Sequence, residues 1–296
     1  MRLLLLIPSL AFVLIGCTGV PRSLSHPGGV AVQEDFVYAM PSGQPLRLDL
    51  HLPVDRSGAF PLVVWIHGGG WYAGSHKNVP IARLVQHGYA VAAVEYRRIE
   101  LFRDRNPFPH QIHDLKAAIR FLRHHAGELR LDPERIAVFG HSAGGHLAVM
   151  LATTNDEPVY EGDVGMIGPS STVHAAIVAQ APLDIKAVLA DPEHGSWRIR
   201  FVTRQLIEHA PGSSAGARAV FASPLAQVSS DDAPFLLFHG RDDALIPSSQ
   251  SELMHAELQR AQVASELHLM DGGHGDAAFG DEQLLQMSLA FLQEHI

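Results

Sequence analysis

The chain has 296 residues, of which 47% are hydrophobic and 18% are charged. This composition fits one medium-sized globular domain, or one domain with an inserted cap. The formal net charge of −9 argues against nucleic acid as a partner, because phosphate binding requires clustered Lys and Arg. The 19 histidines form neither a His-Glu-x-x-His motif nor a cluster with cysteine at ligand spacing, so we expect no metal site.

The first residues have the pattern of an export signal. Arg2 precedes a short apolar run at 3–15, and about 13 residues are too few to cross roughly 30 Å of hydrocarbon as a permanent helix. The run leads to Cys17, the one cysteine of the chain, and Leu-Ile-Gly-Cys at 14–17 resembles the bacterial lipobox, in which the cysteine becomes the lipidated first residue. We therefore expect residues 1–16 to be a lipoprotein signal peptide. The mature protein would be exported and anchored in a membrane through Cys17, at the periplasmic face or the cell surface; an ordinary cleavable signal peptide is the alternative.

The rest of the chain divides into a tether and one α/β domain. Residues 17–31 are rich in Gly, Pro and Ser, which predicts a flexible tether, and from 32 to 296 strand-like and helix-like segments alternate. Eight strands are predicted, at 32–40, 46–52, 62–67, 89–96, 135–140, 175–180, 235–239 and 265–270. The first two alternate polar and apolar residues, which predicts antiparallel edge strands. The middle strands are almost continuously apolar, which indicates helices on both faces of the sheet.

Helix-like patterns fall between the strands. They occupy 113–125, 143–153, 247–262 and 282–294. Residues 184–222 interrupt the alternation of strands and helices, because they mix Pro, Gly and Ser turns with one helix-like stretch at 197–209. Since this segment lies between two core strands, we predict a short cap over the site.

A glycine-rich turn around Ser142 is the strongest local motif. Gly-His-Ser-Ala-Gly at 140–144 follows a predicted strand and opens a predicted helix, which is the context of a nucleophile elbow. In such a turn the serine Oγ is exposed, and the helix N-terminus behind it offers unpaired N–H groups to a developing anion. The sequence therefore predicts Ser142 as a nucleophile.

A second glycine run, His-Gly-Gly-Gly-Trp at 67–71, ends the strand predicted at 62–67. Glycines let the main chain approach a reacting group closely. Backbone N–H groups aimed at the former carbonyl oxygen stabilise a tetrahedral intermediate by roughly 3 kcal/mol for one donor. We expect an oxyanion hole made by the N–H groups of Gly69, Gly70 and Ala143.

The carboxylate and the base are expected to follow the nucleophile in the order Ser, acid, His. Asp242 and Asp243 come directly after the strand at 235–239, where a carboxylate is placed to orient an imidazole. His274 lies in a glycine-rich loop after the last strand and can reach the nucleophile from there. The other histidines near these turns are predicted to be hydrogen-bonded structural groups: His67, His141, His146 and His239.

Together these motifs resemble the esterase/lipase branch of the α/β-hydrolases. The resemblance rests on 67–71, on Gly-His-Ser-Ala-Gly-Gly-His-Leu-Ala at 140–148 and on His274, and it extends from about residue 32 to residue 296. The group most similar is feruloyl-esterase-like and acetyl-esterase-like, near the hormone-sensitive-lipase type. Asp243 lies one turn before Ile-Pro at 246–247, which resembles the superfamily pattern His-Gly-x-x-Asp-x-x-Val-Pro and favours Asp243 over Asp242.

The resemblance implies an α/β-hydrolase fold with a mostly parallel eight-stranded sheet, and a serine carboxylic-ester hydrolase that needs no cofactor. Ser142 would attack the ester, His274 would act as its base, and Asp243 would hold the imidazole. Trp71 and Tyr72 are predicted to wall the substrate pocket, which favours small esters with short acyl or aryl groups. The alternatives are an amidase or peptidase of the same fold, and a non-catalytic surface lipoprotein.

Overall fold

The computed structural model describes residues 22–26, 29–54, 57–103, 105–190, 195–275 and 282–296, of which 22–26 are described by their backbone alone. The predicted signal peptide and the predicted lipidation site, Cys17, lie outside the described residues. Among the residues that are described, no helix is both long and apolar enough to cross a membrane.

A single sheet organises the described chain. Its strands are β1 (Arg22–His26), β2 (Val30–Ala39), β3 (Leu46–Pro53), β4 (Phe60–Ile66), β5 (Ala90–Val94), β6 (Leu131–His141), β7 (Ala175–Ala179), β8 (Phe235–Gly240) and β9 (Ser265–Met270). The spatial order is β1-β2-β3-β5-β4-β6-β7-β8-β9. The pairs β1/β2, β2/β3 and β3/β5 are antiparallel, and all pairs from β5/β4 to β8/β9 are parallel.

The eight predicted strands are confirmed as β2 to β9, and the mostly parallel sheet is confirmed with them. The ninth strand, β1, falls inside 17–31, which the sequence predicts to be a tether. This part of the prediction is corrected: residues 22–26 pair antiparallel with β2, in register from Arg22 opposite Glu34 to His26 opposite Val30. The physical reason is that the outer edge of β2 presents unpaired backbone N–H and C=O groups, which any extended segment can satisfy whatever its side chains.

Helices cover both faces of the sheet. They are α1 (His110–His124), α2 (Ala126–Leu129), α3 (Ala143–Ala152), α4 (Pro158–Glu161), α5 (Ile185–Ala190), α6 (Trp197–Ile207), α7 (Ala215–Phe221), α8 (Ser249–Arg260) and α9 (Glu282–His295), with short 3-10 turns at Pro41–Gly43, Ala82–His87 and Pro224–Gln227. Helices α1, α3 and α8 pack on one face of the sheet. The 3-10 turn Ala82–His87 and α9 pack on the other.

Strand β4 illustrates why the sheet is buried on both sides. Val63 and Trp65 belong to the apolar core on the α9 face, whereas Leu62, Val64 and Ile66 belong to the core on the α3 face. Successive side chains of a strand point to opposite faces, so a strand with apolar residues at every position needs a helix layer on each side.

The cap predicted at 184–222 contains α5, α6 and α7, inserted between β7 and β8. Ser196 caps the N-terminus of α6, and its side chain accepts a hydrogen bond from the Ile199 N–H. The inward side of α6 is buried through Ile199, Thr203 and Leu206. The N–H of Ser196 also donates to the Leu245 carbonyl at 3.2 Å, which fixes the start of α6 beside the loop that follows β8.

Candidate functional site

Ser142 lies at the sharp turn between β6 and α3. Its backbone has φ 56° and ψ −121°, a conformation that a non-glycine residue adopts at a cost of about 1–3 kcal/mol. The Ser142 N–H donates to the Ala179 carbonyl at 2.8 Å, and the Ser142 carbonyl accepts from the His146 N–H at 3.0 Å. These bonds tie the strained turn to β7 on one side and to α3 on the other, so the serine is held in place by the sheet.

Glycines flank the turn because its backbone segments nearly touch. A Cβ placed on Gly140 would lie 2.1 Å from the carbonyl oxygen of Gly144, and one on Gly144 would lie 2.1 Å from the carbonyl oxygen of Ile66. A Cβ on Gly68 would lie 3.3 Å from the Cβ of Ser142. The same contacts therefore bring the glycine run after β4 directly against the serine.

Ser142, His274 and Asp243 form one chain of hydrogen bonds. His274 Nε2 lies 3.0 Å from Ser142 Oγ, and His274 Nδ1 lies 2.7 Å from Asp243 Oδ2. The three residues come from the ends of β6, β8 and β9, which are parallel strands whose carboxyl ends meet at one edge of the sheet. The arrangement allows a proton to pass from the serine to the imidazole while the carboxylate fixes the imidazole tautomer.

The carboxylate of Asp243 is built into the loop that follows β8. Its Oδ1 accepts the N–H groups of Leu245 and Ile246, each at 2.9 Å. Burial by itself raises the pKa of this carboxyl, but the hydrogen bonds from His239, His274 and Ile246 outweigh burial and hold the pKa well below its ordinary value. Asp243 is therefore ionised at neutral pH.

Asp242, the alternative acid, is placed differently. It is exposed, whereas the side chain of Asp243 is fully buried. The backbone N–H of Asp242 donates to the Gly272 carbonyl at 3.0 Å, so Asp242 contributes to the site through its backbone. The structure brings Asp243, and not Asp242, to His274.

The predicted oxyanion donors lie around Ser142. Gly69 and Gly70 line the same cavity as Ser142 and His274, and both have positive φ, 115° and 58°, which favours glycine. Ala143 is the first residue of α3, so its N–H has no partner within the helix. It is buried behind the serine and is not among the residues that line the cavity.

A cavity of about 640 Å³ opens above Ser142. Its wall includes Tyr72, which is 45% exposed, as the sequence predicts. The prediction for Trp71 is corrected: it is fully buried and lies outside the cavity wall. Its φ of 62° turns the side chain into the core, where its indole N–H donates to His146 Nδ1 at 3.2 Å. The ring packs beneath the loop that contains the glycine run and does not contact the cavity.

The remaining histidines of the site have structural hydrogen bonds, as predicted. His67 bonds the Gly68 carbonyl at 2.8 Å, and His146 bonds the Ala222 carbonyl at 2.8 Å. Burial lowers the pKa of His67 to about 4 and that of His146 to about 4, so both are neutral at pH 7. His239 lies between Ser251 Oγ and the Ile246 carbonyl, at 2.7 and 2.8 Å.

Two parts of the site escape the sequence analysis. Arg198, Ile199 and Val202 of α6 line the cavity, although the sequence predicts only that a cap lies there. Gln180, at the end of β7, hydrogen-bonds the loop that carries His274. The only local sign of Gln180 is a polar residue that ends an apolar strand, which does not by itself identify a function.

One group of side chains has the composition of a metal site. Asp35, Asp49 and His76 bring their ligand atoms within 4.8 Å of one another. However, Lys77 Nζ lies 2.9 Å from Asp49 and 3.3 Å from Asp35, so an ammonium group already contacts both carboxylates and offsets part of their charge. The cluster joins β2 and β3 to the loop after β4 as an ion-paired contact.

The doubly covered sheet and the order serine, aspartate, histidine along it define the class of this protein, which is an α/β-hydrolase with a Ser–His–Asp site. Comparison with known families identifies the branch: residues 48–258 match the BD-FAE family model, and the chain belongs to that family.

Relatives and solved structures point the same way. The chain is 28% identical over 235 residues to the probable carboxylic ester hydrolase LipM of Mycobacterium tuberculosis, covering 78% of this chain and 51% of LipM; it spans about half the length of the curated relatives it matches. A truncated carbohydrate esterase from gut microbiota superposes with a TM-score of 0.76 at 25% identity, over 92% of this chain and 99% of that one. The propionate-bound esterase Est2 of Thermogutta terrifontis has a TM-score of 0.71 at 27% identity, over 90% and 94% of the two chains.

Proposed function

We propose that the protein is a serine esterase that hydrolyses small carboxylic esters. The observation that carries this proposal is the hydrogen-bonded chain from Ser142 Oγ through His274 to the ionised Asp243, at the floor of a cavity whose wall contains Gly69 and Gly70. Membership of the BD-FAE family and similarity to proteins named esterases support the ester as the substrate.

The mechanism follows from the geometry. His274 Nε2 takes the proton of Ser142 Oγ while the oxygen attacks the ester carbonyl. The negative charge on the former carbonyl oxygen is held by the N–H groups of Gly69, Gly70 and Ala143. The protonated His274 gives its proton to the departing alcohol, which leaves an acyl group on Ser142. A water molecule, deprotonated by His274, then attacks the acyl group and releases the acid.

The direct test is Ser142→Ala. The variant should keep its fold by circular dichroism and lose hydrolysis of 4-nitrophenyl acetate, because it lacks the attacking oxygen. A fluorophosphonate probe should label the wild type and not the variant. Equal labelling of both proteins would refute Ser142 as the nucleophile, and faster turnover of aminoacyl anilides than of esters would favour an amidase or peptidase.

The side chains of the cavity wall support a preference for short acyl groups. Tyr72 and the cap residues Ile199 and Val202 line the space above Ser142, and Arg198 places a charge on the same wall. A lipase that acts at a lipid surface would be expected to present a broad apolar patch there, whereas the exposed Trp197 and Phe201 of α6 are interspersed with the exposed Arg198 and Arg204. We propose acyl groups from about acetyl to butyryl as the preferred range.

We further propose that the protein is an exported lipoprotein. The support is in the sequence: a short apolar run at 3–15 and the lipobox-like 14–17, which ends in the chain's single cysteine. Cys17→Ser should move the protein from the membrane fraction to the soluble fraction and leave its specific activity unchanged. A processed wild-type protein found in the soluble fraction would contradict the anchor.

A further inference from the structure

Gln180 holds the loop of the proposed base on both sides of the imidazole. Its Nε2 donates to the Gly273 carbonyl at 2.7 Å, and its Oε1 accepts the Gly275 N–H at 3.2 Å. The two contacts bracket His274. One side chain therefore satisfies the backbone of the residue before the histidine and that of the residue after it.

The same amide also reaches the turn that carries the nucleophile. Its Oε1 lies 3.1 Å from His141 Nε2, and His141 directly precedes Ser142. The His141 and His274 rings lie 5.1 Å apart. Gln180 is thus hydrogen-bonded to both segments whose side chains must meet for proton transfer.

The backbone of Gln180 is itself unusual. It has φ 52°, which costs a non-glycine residue about 1–3 kcal/mol, and its N–H donates to the Phe238 carbonyl of β8 at 2.9 Å. The residue is 3% exposed. The polar backbone groups of a loop need hydrogen-bond partners when they are shielded from water. Here the side chain of Gln180, whose own backbone is strained, supplies these partners.

We propose that Gln180 is a positioning residue that sets the distance between His274 and Ser142. This inference rests on the proposed ester hydrolysis. Removing the amide leaves the His274 loop without its link to β7, so the imidazole drifts from the serine. A misplacement of about 1 Å lowers the rate by about 100-fold.

The test compares Gln180→Met, which keeps the length of the side chain, with Gln250→Met as a matched control. Gln250 is also a buried glutamine bonded to backbone N–H groups, those of Leu183 and Asp184, each at 2.8 Å. Gln180→Met should lower kcat for 4-nitrophenyl acetate by about 100-fold with little change in KM. Gln250→Met should lose stability and keep its kcat within about twofold.

A second variant gives a readout that a purely structural role would not move. Gln180→Glu keeps an acceptor for the Gly275 N–H but replaces the donor to the Gly273 carbonyl by an oxygen. It also places a negative charge beside the His141 ring and the His274 loop, which favours a protonated imidazole. The acid limb of the pH profile of kcat/KM should shift up by about one pH unit. Unchanged kcat in Gln180→Met, or an unshifted profile in Gln180→Glu, would overturn the positioning role. A wild type that neither hydrolyses esters nor reacts with a fluorophosphonate would instead refute the proposed function.

A separate observation concerns the charge of the cavity. Apart from histidines and Tyr72, Arg198 is the one ionisable side chain among the described residues of the cavity wall. Within the described part of the chain no ion pair involves Arg198, and its guanidinium lies over the Trp197 ring, 5.6 Å from the centroid. The chain as a whole has a net charge of −9, so a cation at the cavity is not explained by the general composition of the chain.

We propose that Arg198 makes the site selective for esters that carry a second, anionic group, such as a carboxylate, on their acyl or alcohol part. An arginine can bind a carboxylate through two parallel N–H···O bonds. Because Arg198 is exposed, the gain should be modest, about fivefold in kcat/KM, and should decrease at high salt.

The test uses matched pairs of esters. Mono-4-nitrophenyl glutarate and its methyl ester differ in charge on the acyl side, and 4-carboxyphenyl acetate and its methyl ester differ on the alcohol side. The wild type should prefer the anion in one of these pairs by about fivefold. Arg198→Gln should abolish the preference and Arg198→Glu should reverse it. Arg204→Gln, an exposed arginine of α6 outside the cavity wall, should keep it.

Two outcomes would overturn this role of Arg198. One is the absence of an anion preference in both pairs while the neutral esters are hydrolysed. The other is an equal loss of the preference in Arg204→Gln, which would indicate that the positive charge of the cap as a whole, and not Arg198 itself, attracts the anion. Failure to hydrolyse any of the four esters would refute the proposed esterase function as well.

Discussion

Replacing Asp243 by asparagine exchanges one carboxylate oxygen for an NH₂ group and should remove most of the activity. The amide oxygen of the new side chain should stay where Oδ1 accepts the Leu245 and Ile246 N–H groups, both at 2.9 Å, because an NH₂ group there would face two donors. The NH₂ group then takes the place of Oδ2, 2.7 Å from His274 Nδ1. A donor at this point forces Nδ1 to accept, so the proton of the neutral imidazole moves to Nε2.

This tautomer is the wrong one for catalysis. His274 Nε2, 3.0 Å from Ser142 Oγ, would carry a proton and could not take another from the serine. In a serine protease, the same exchange of the triad aspartate for asparagine leaves the geometry intact and lowers kcat by about 10⁴-fold. We expect a loss of the same order here, which corresponds to about 5.4 kcal/mol in the activation free energy.

The assay is kcat/KM for 4-nitrophenyl acetate, with thermal unfolding followed by circular dichroism to show that the variant is folded. Asp242→Asn is the control, because Asp242 is exposed and the bond that its backbone N–H donates to Gly272 survives the substitution. The control should stay within about twofold of the wild type. Similar losses in both variants, or a large loss at Asp242 alone, would refute the assignment of Asp243.

Three further predictions follow from the cavity, the buried histidines and the packing of the elbow. Activity on 4-nitrophenyl esters should be highest for acetate or butyrate and decrease gradually through octanoate to palmitate, because acyl carbons that extend beyond the cavity wall lose conformational freedom without the roughly 0.8 kcal/mol that each buried methylene gains; a maximum at octanoate or beyond would contradict the proposed preference for short acyl groups. Burial lowers the pKa of His67 and His146 to about 4, whereas the pKa of a histidine in the unfolded chain is about 6.5. Between pH 4 and pH 6.5 the unfolded chain therefore binds more protons than the folded protein. The free energy of unfolding should fall as the pH drops from 6.5 to 4. His146→Gln should reduce this slope in urea titrations, and an unchanged slope would show that His146 does not contribute. Gly144→Ala should destabilise the protein by about 3 kcal/mol, because its Cβ would meet the Ile66 carbonyl oxygen at 2.1 Å, whereas Gly127→Ala, with no atom within 4 Å, should be tolerated; equal stability of the two variants would contradict the packing of the turn.

Local sequence patterns predict the sheet and the centre of the site well, for a physical reason. A strand buried on both faces must be apolar at nearly every position, so β4 to β8 can be recognised one at a time. The turn at Ser142 demands glycine at 140 and 144 because the chain nearly touches itself there. Each of these requirements is met by a few consecutive residues, so the strands and the turn can be recognised without information about distant parts of the chain.

Trp71, Gln180 and Arg198 depend on contacts between distant segments, and here sequence patterns are less informative. Trp71 follows the glycine run in the sequence, but its direction is set by a positive φ and by a hydrogen bond to His146, 75 residues away. Gln180 meets the Gly273 carbonyl 93 residues further on, and Arg198 lines the cavity from α6, whose start is hydrogen-bonded to Leu245. In such cases the role of a side chain depends on which distant residues the fold places in contact with it. The residues that the structure adds to the site, Gln180 and Arg198, are therefore the ones whose substitution best separates the geometry of this chain from the general pattern of its family.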